Sequence, residues 1–145
     1  MARNLDNWLQ AYVEYTSHLE APTTFHLWTG IGTIAGALRG KVFIKNGYFK
    51  WKPNFFIVFV APPGVVSKST TVDVGMSLLR QVKGIDFGPG SMTWQALTDA
   101  FRDAEVVVPE IGSSISSLTV VASELGTFLD PKNRELVDVL NDLWD

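Results

Sequence analysis

The sequence predicts a mixed α/β fold, and three features of its apolar residues predict it. Two stretches near the N-terminus, 5–19 and 25–38, repeat apolar residues at helical spacing. A continuous apolar run over 55–61 has the length of a strand that is buried on both faces. A further helical pattern over 69–82 follows that run, and such alternation of strand and helix is typical of α/β proteins.

The composition limits the class of protein. The chain has 145 residues, 46% of them hydrophobic and 19% charged, as in one globular domain or a piece of one. It has no cysteine, which excludes disulfides, thiolate metal sites and cysteine nucleophiles. No apolar run approaches the roughly 18 residues that span a bilayer, and no signal-peptide pattern opens the chain. We therefore expect a cytoplasmic protein without membrane contact.

The net charge of −3 is unevenly distributed along the chain. Residues 1–20 carry a net charge of −2, residues 21–72 of +6, and residues 73–145 of −7. The central stretch has no carboxylate, which favours a bound polyanion such as nucleotide phosphates or nucleic acid. Charge alone leaves a second interpretation open, in which the lysines belong to a solvated hairpin with no ligand.

Residues 1–40 predict an N-terminal helical subdomain. Pro22 separates its two helices, and Thr23 or Thr24 is suited to cap the second one. The second helix contains three glycines, Gly30, Gly32 and Gly36. Glycine weakens a helix, but it also allows another element to approach closely.

The patterns in residues 41–145 predict that this stretch forms the main part of the α/β core. Asn46 and Gly47, between two short strand-like stretches, are a strong hairpin signal. The stretches 104–109 and 118–122 also have strand character, and the short Gly/Ser-rich linker between them predicts a second hairpin.

A phosphate-binding loop is predicted at 61–70, where an apolar strand turns into a helix that begins near Lys68 and Ser69. Backbone N–H groups of such a loop, together with the N-terminus of the following helix, surround a β-phosphate. Lys68 would reach the β- and γ-phosphates, Ser69 would hold Mg²⁺ through its hydroxyl, and Thr70 would lie near the α-phosphate.

The match to the usual pattern, G-x-x-x-x-G-K-[ST], is incomplete. Pro62 and Ser67 occupy the two glycine positions, so either Ser67 has a strained backbone angle or the loop follows a different path. A Pro/Gly-rich turn in which Lys68, Ser69 and Thr70 merely begin a helix remains the alternative.

A candidate catalytic carboxylate follows the strand-like stretch 118–122. In P-loop enzymes of the additional-strand type, such a strand ends in an acidic pair, and its second member polarises the attacking water. Glu124 takes that second position, whereas Ser123 replaces the metal-assisting carboxylate and offers Mg²⁺ only a hydroxyl. An exposed glutamate that begins a helix is an equally good interpretation of Glu124.

The order of these segments resembles the helicase-like P-loop ATPase domain of phage, prophage and plasmid replication proteins, including primase-associated ones. The segments that carry the resemblance are KPNFFIVFVAPPGVVSKSTT, SMTWQALTDAF, LTVVASELGTFL and ELVDVLNDLWD. The resemblance covers only the front half of that ATPase domain, and the chain stops on an apolar helical pattern. That ending is expected of a fragment, and an authentic short protein is the alternative. The resemblance implies a RecA-like three-layer core over 41–145, here incomplete.

The resemblance also implies roles for individual residues. Lys68 and Glu124 would be the catalytic residues. The nucleotide-binding residues would be Pro63, Gly64, Val65, Val66, Ser67, Lys68, Ser69 and Thr70. The implied activity is hydrolysis of ATP with Mg²⁺, coupled to movement along single- or double-stranded DNA in a homo-oligomer such as a hexamer. The alternatives are a nucleotide- or nucleic-acid-binding fragment without turnover, and a structural adaptor.

Overall fold

The computed structural model describes residues 5–91, 93–109, 112–130 and 134–144. These residues form a mixed α/β structure. Its helices are α1 (Trp8–Thr16), α2 (Thr23–Leu38), α3 (Lys68–Leu79), α4 (Trp94–Asp103), α5 (Leu125–Phe128) and α6 (Arg134–Asp142). Its strands are β1 (Ile44–Asn46), β2 (Phe49–Trp51), β3 (Asp86–Gly88), β4 (Glu105–Val108), β5 (Ser113–Ser116) and β6 (Leu118–Val120).

The described strands form three two-stranded sheets. β1 and β2 are antiparallel, β4 and β5 are antiparallel, and β3 and β6 are parallel. The chain divides into two compact units, Met1–Ala37 with Phe55–Lys83 and Leu38–Asn54 with Gly84–Asp145. The predicted loop at 61–70 belongs to the first unit. The predicted division into 1–40 and 41–145 stays a prediction.

The first unit is built on helices that meet at glycines. A Cβ built on Gly30 in α2 would lie 2.7 Å from Leu9 Cδ1 and 2.9 Å from Tyr12 Cδ1, both in α1. A Cβ built on Gly75 in α3 would lie 2.5 Å from the Thr29 methyl carbon in α2. Because any larger side chain would collide at these points, glycine is what lets the helices approach so closely. The prediction of close approach at the glycines of the second helix is confirmed at Gly30.

Local chemistry explains where several elements begin and end. The Asn7 side chain accepts a hydrogen bond from the backbone N–H of Gln10, and Thr93 accepts one from that of Ala96, so α1 and α4 begin where such caps are found. Arg39, at φ 51°, and Gly40, at φ 63°, adopt left-handed conformations directly after α2.

The second unit has its own buried residues, among them Leu97 in α4 and Leu136 in α6. The Arg39 guanidinium forms a 3.4 Å ion pair with Asp86 at the start of β3. A Cβ on Gly90 would lie 2.5 Å from the Val121 carbonyl oxygen, so the chain just beyond β3 lies against the chain just beyond β6. The close approach at Gly90 continues the β3–β6 contact beyond the paired residues.

The structure corrects two expectations about strands. The hairpin predicted between 104–109 and 118–122 is wrong, because β4 pairs with β5 and β6 pairs with β3. The run 55–60 is not buried on both faces. Within the described part of the chain it pairs with no strand, and only Ile57 and Phe59 are half-buried while the other side chains of the run are exposed.

The hairpin at Asn46 and Gly47 is confirmed, with Gly47 at φ 61° in the turn. Over the described ranges, none of the helices combines the length and the apolar character that a bilayer crossing requires.

Candidate nucleotide-binding loop

The loop between the apolar run and α3 bends sharply at its centre. Residues 63–65 form a turn, and Gly64 has φ 72°. Nothing lies within 4 Å of a Cβ built on Gly64, so its backbone angle, rather than lack of space, is what requires glycine there. Ser67 has an ordinary φ of −80°, which means that the loop follows a different path from the usual pattern and places no strain on Ser67.

Lys68 closes the loop. Its Nζ donates a hydrogen bond of 2.8 Å to the backbone carbonyl of Ala61, seven residues earlier. The bond joins the first residue of the loop to the first residue of α3, and it holds the ammonium group, half-buried, across the base of the loop. A positive charge is therefore fixed beside the main chain that the sequence predicts to surround a phosphate.

Hydrogen bonds and packing against α2 fix the start of α3. The carbonyl of Ser67 accepts hydrogen bonds from the backbone N–H of Thr71 at 3.1 Å and from its hydroxyl at 3.0 Å. Thr71 is fully buried, and one turn later Gly75 packs against α2. The N-terminus of α3 is therefore held by the helical core of the first unit.

Two backbone N–H groups at the N-terminus of α3 have no hydrogen-bond acceptor within the helix. The N–H groups of Ser69 and Thr70 have no carbonyl one turn earlier within α3, because the helix begins at Lys68. The Lys68 N–H already donates to the Val66 carbonyl at 2.9 Å. Both side chains, Ser69 and Thr70, are exposed. An anion at this end of α3 would therefore meet the two N–H groups and the positive end of the helix dipole.

Ser123 and Glu124 lie in the second unit, but not directly at the end of the strand, because β6 ends at Val120 rather than at residue 122 as predicted. Glu124 is exposed and precedes α5, and Thr127 Oγ1 donates a hydrogen bond of 3.3 Å to its Oε2. This contact is local, within one turn of a short helix. The structure thus gathers Pro63–Thr70 in one loop of the first unit and has the proposed catalytic carboxylate in the other unit.

The protein side of a magnesium site would be small. Within the described ranges, no group of three or more histidine or acidic side chains converges on a metal-sized position. Mg²⁺ in phosphoryl-transfer sites keeps several waters and phosphate oxygens and takes only one or two protein ligands. The hydroxyl of Ser69, an exposed residue on the first turn of α3, fits that donor set.

Sequence reasoning missed one exposed surface. The β1–β2 hairpin was recognised for its lysines, but its aromatic side chains are equally exposed, including Tyr48, Phe49 and Trp51. The alternation of aromatic and basic residues over 48–52 is the signal that points to it.

We compared the chain with known protein families, with curated proteins and with solved structures, and none of the three comparisons gave a match. The functional conclusion therefore depends on the loop itself: its path, its lysine and the helix that follows it.

Proposed function

We propose that the chain is the nucleotide-binding part of a P-loop ATPase of the kind found in phage-type replicative helicases or primase-helicases. The proposed core is RecA-like, the substrate is ATP with Mg²⁺, and the partners are DNA and further copies of the chain, as in a hexamer. The observation that carries the proposal is the position of Lys68. Its ammonium group crosses the base of a sharply turned loop at the N-terminus of an anchored helix.

On nucleotide binding, the Lys68 ammonium would exchange its present hydrogen bond for a stronger one to a phosphate oxygen. The Lys68 ammonium now donates to a neutral carbonyl, that of Ala61. A phosphate oxygen would offer a charged acceptor, and charge-assisted hydrogen bonds are roughly twice as strong as neutral ones. The main chain of Gly64, Val65 and Val66 would line the phosphate, and the hydroxyl of Ser69 would join the Mg²⁺ shell. When bound, Mg²⁺ would neutralise the charge that develops on the phosphoryl group.

Hydrolysis would also need a group that orients water. We assign this role to Glu124, with the hydroxyl of Ser123 as a weaker aid to the metal. Glu124 is exposed and follows a strand of the only parallel pair among the described strands, which is the setting that additional-strand ATPases use.

Substitution of Lys68 tests the proposal. Lys68→Ala is expected to abolish the binding of ATP with Mg²⁺ in titration calorimetry, since it removes the only side-chain cation of the loop. Lys83→Ala, an exposed lysine after α3, is the matched control and should bind as the wild type does. Unchanged affinity in the Lys68 variant would overturn the proposal.

A second variant separates binding from turnover. Glu124→Gln should bind ATP normally but release phosphate at least 100-fold more slowly than the wild type in the presence of DNA, which is the loss expected of a general base. Glu20→Gln, an exposed glutamate outside both candidate segments, is the control. Equal phosphate release by the wild type and the Glu124 variant would remove Glu124 from the mechanism.

One observation favours a second candidate function. The Lys68–Ala61 bond gives the lysine a partner within the loop, as expected if 61–70 is only a turn in a structural adaptor. A thermal-shift measurement distinguishes the two. ATP at about 100 times its dissociation constant should stabilise a nucleotide-binding protein by roughly 2.7 kcal/mol. An adaptor would show no shift, whereas a fragment that binds without turnover would show the shift but no phosphate release.

A further inference from the structure

The β1–β2 hairpin has two different exposed faces. Its register pairs Ile44 with Trp51, Lys45 with Lys50, and Asn46 with Phe49. Because residues directly opposite each other share a face, Ile44, Trp51 and Phe49 lie on one side and the two lysines on the other. All residues of 41–52 are exposed. We call the first side the aromatic face and the second the lysine face.

The aromatic face carries two near-parallel rings. The rings of Phe49 and Trp51 are 6.4 Å apart between centroids and lie within 16° of parallel. Phe49 is 66% exposed and Trp51 54% exposed, which is unusual for large aromatic side chains two residues apart on a strand. Two near-parallel, solvent-facing rings match the way proteins stack successive bases of a single strand.

The lysine face concentrates like charges. Lys45 and Lys50 are directly opposite each other, an arrangement that destabilises a hairpin unless an anion lies between or beside them. The Lys50 Nζ lies 4.0 Å from the centroid of the Phe43 ring, and Lys41 and Lys52 flank the hairpin at its open end. No acidic residue occurs anywhere in 21–72, so no carboxylate nearby in sequence neutralises these lysines.

We propose that this hairpin binds single-stranded nucleic acid, with bases stacked on Phe49 and Trp51 and phosphates neutralised by the lysines. A two-stranded ribbon is only about 5 Å wide between strand axes, so a lysine stem can reach round its edge to the backbone of a strand on the aromatic face. An anionic membrane would also attract lysines and aromatic rings, but it does not need parallel rings. The inference deepens the proposed function, because it names the surface through which such an ATPase would hold its nucleic acid.

The test is a binding measurement without nucleotide. Fluorescence anisotropy with a labelled oligothymidylate of about 15 nucleotides, near the upper end of single-strand site sizes, reports binding directly. Phe49→Ala and Trp51→Ala should each weaken binding roughly tenfold or more, whereas Trp51→Phe should retain most of the affinity. Tyr15→Ala removes an aromatic ring that is 71% exposed on α1 and should change nothing.

The lysines are tested by salt dependence. The double variant Lys45→Gln, Lys50→Gln should reduce the slope of log affinity against log salt by about 1.4, since each phosphate contact on a single strand contributes about 0.7. Lys83→Gln should leave the slope unchanged. Oligouridylate tested in parallel shows whether the surface accepts RNA as well as DNA, and binding of either supports the proposal.

Three results would overturn the inference. They are equal affinity for a duplex of the same length, aromatic variants that bind as the wild type does, and binding to phosphatidylserine vesicles without binding to oligonucleotides. The outcome is independent of the ATP site. Lys68→Ala should bind the oligonucleotide normally in the absence of nucleotide, and the hairpin variants should bind ATP normally.

Discussion

The helices of the first unit and the apolar run 55–60 both carry large apolar side chains, but these side chains are buried to different extents. In α3, Leu79 is fully buried and Met76 nearly so. In 55–60, Phe59 stacks on Phe25 of α2 at 4.4 Å between ring centroids, whereas Val60 remains 83% exposed. Helices α1 and α3 bury apolar side chains, and Gly30 of α2 and Gly75 of α3 allow the helices to come close together, while 55–60 is covered on one face only.

This difference shows that an apolar pattern predicts a preference for burial, but it does not predict which neighbouring elements cover the segment. A helix satisfies its own backbone and needs only a neighbouring surface. A strand needs a partner for its N–H and C=O groups as well as a layer on each face. Within the described residues, 55–60 has one such layer, α2, and no partner strand.

The largest expected effect is the difference in stability between two truncations of apolar side chains in the first unit. Leu79→Ala should lower the free energy of unfolding by about 2–5 kcal/mol, because it leaves a cavity in a fully packed position. Val60→Ala should change it by no more than about 0.5 kcal/mol. Urea denaturation measures both. A cost for Val60→Ala close to that of Leu79→Ala would show that 55–60 is buried in solution, and the comparison would fail.

A smaller effect is expected where α3 meets α2. Gly75→Ala should destabilise the protein by about 1–3 kcal/mol, because its methyl group would overlap Thr29 and Thr33. This loss would appear despite the roughly 1 kcal/mol by which alanine favours a helix over glycine. Adding Thr29→Ser, which removes the colliding methyl group, should restore part of the stability.

The control for that contact is Gly126 in α5. Nothing lies within 4 Å of a Cβ built there, so Gly126→Ala should be neutral or slightly stabilising. If Gly75→Ala proved equally harmless in thermal unfolding, the close packing of α3 on α2 would be wrong.

The smallest effect concerns the Tyr12 phenol, which lies near Gly75. Its oxygen is buried and has no hydrogen-bond partner among the described residues, and burial raises the pKa of Tyr12 above its ordinary value of 10.0. A raised pKa stabilises the fold below the unfolded-state value, and that stability is lost as pH rises through the folded-state value. Tyr12→Phe should therefore be neutral or slightly stabilising at pH 7 and should lose less stability than the wild type above pH 10.

Denaturation curves at pH 7 and at about pH 10.5, just above the ordinary tyrosine pKa, test this expectation. Tyr15→Phe, at an exposed position of α1, should follow the wild type at both values. A loss of more than about 1 kcal/mol in Tyr12→Phe at pH 7 would mean that the phenol makes a hydrogen bond, for example to a buried water.

Some features of the candidate site follow from neighbouring residues, whereas others depend on residues that are far apart in the sequence. The turn at Gly64, the start of α3 at Lys68 and the neighbouring hydroxyls of Ser69 and Thr70 follow from a few adjacent residues. The Lys68–Ala61 bond could not be predicted, because it depends on the path by which the loop returns over seven residues. The role of Glu124 stays a prediction, since its contacts in the structure are local to α5.

Sequence alone determined features whose cause lies within a few residues, namely the Asn46-Gly47 hairpin and the presence of helices over the N-terminal stretches with helical spacing. These follow from backbone angles and side-chain hydrogen bonds that neighbouring residues supply. Only the tertiary structure decided that β6 pairs with β3, that Gly75 meets α2, and that 55–60 keeps one face exposed. Such choices depend on which surfaces and strand edges are left for each segment, and no local pattern carries that information.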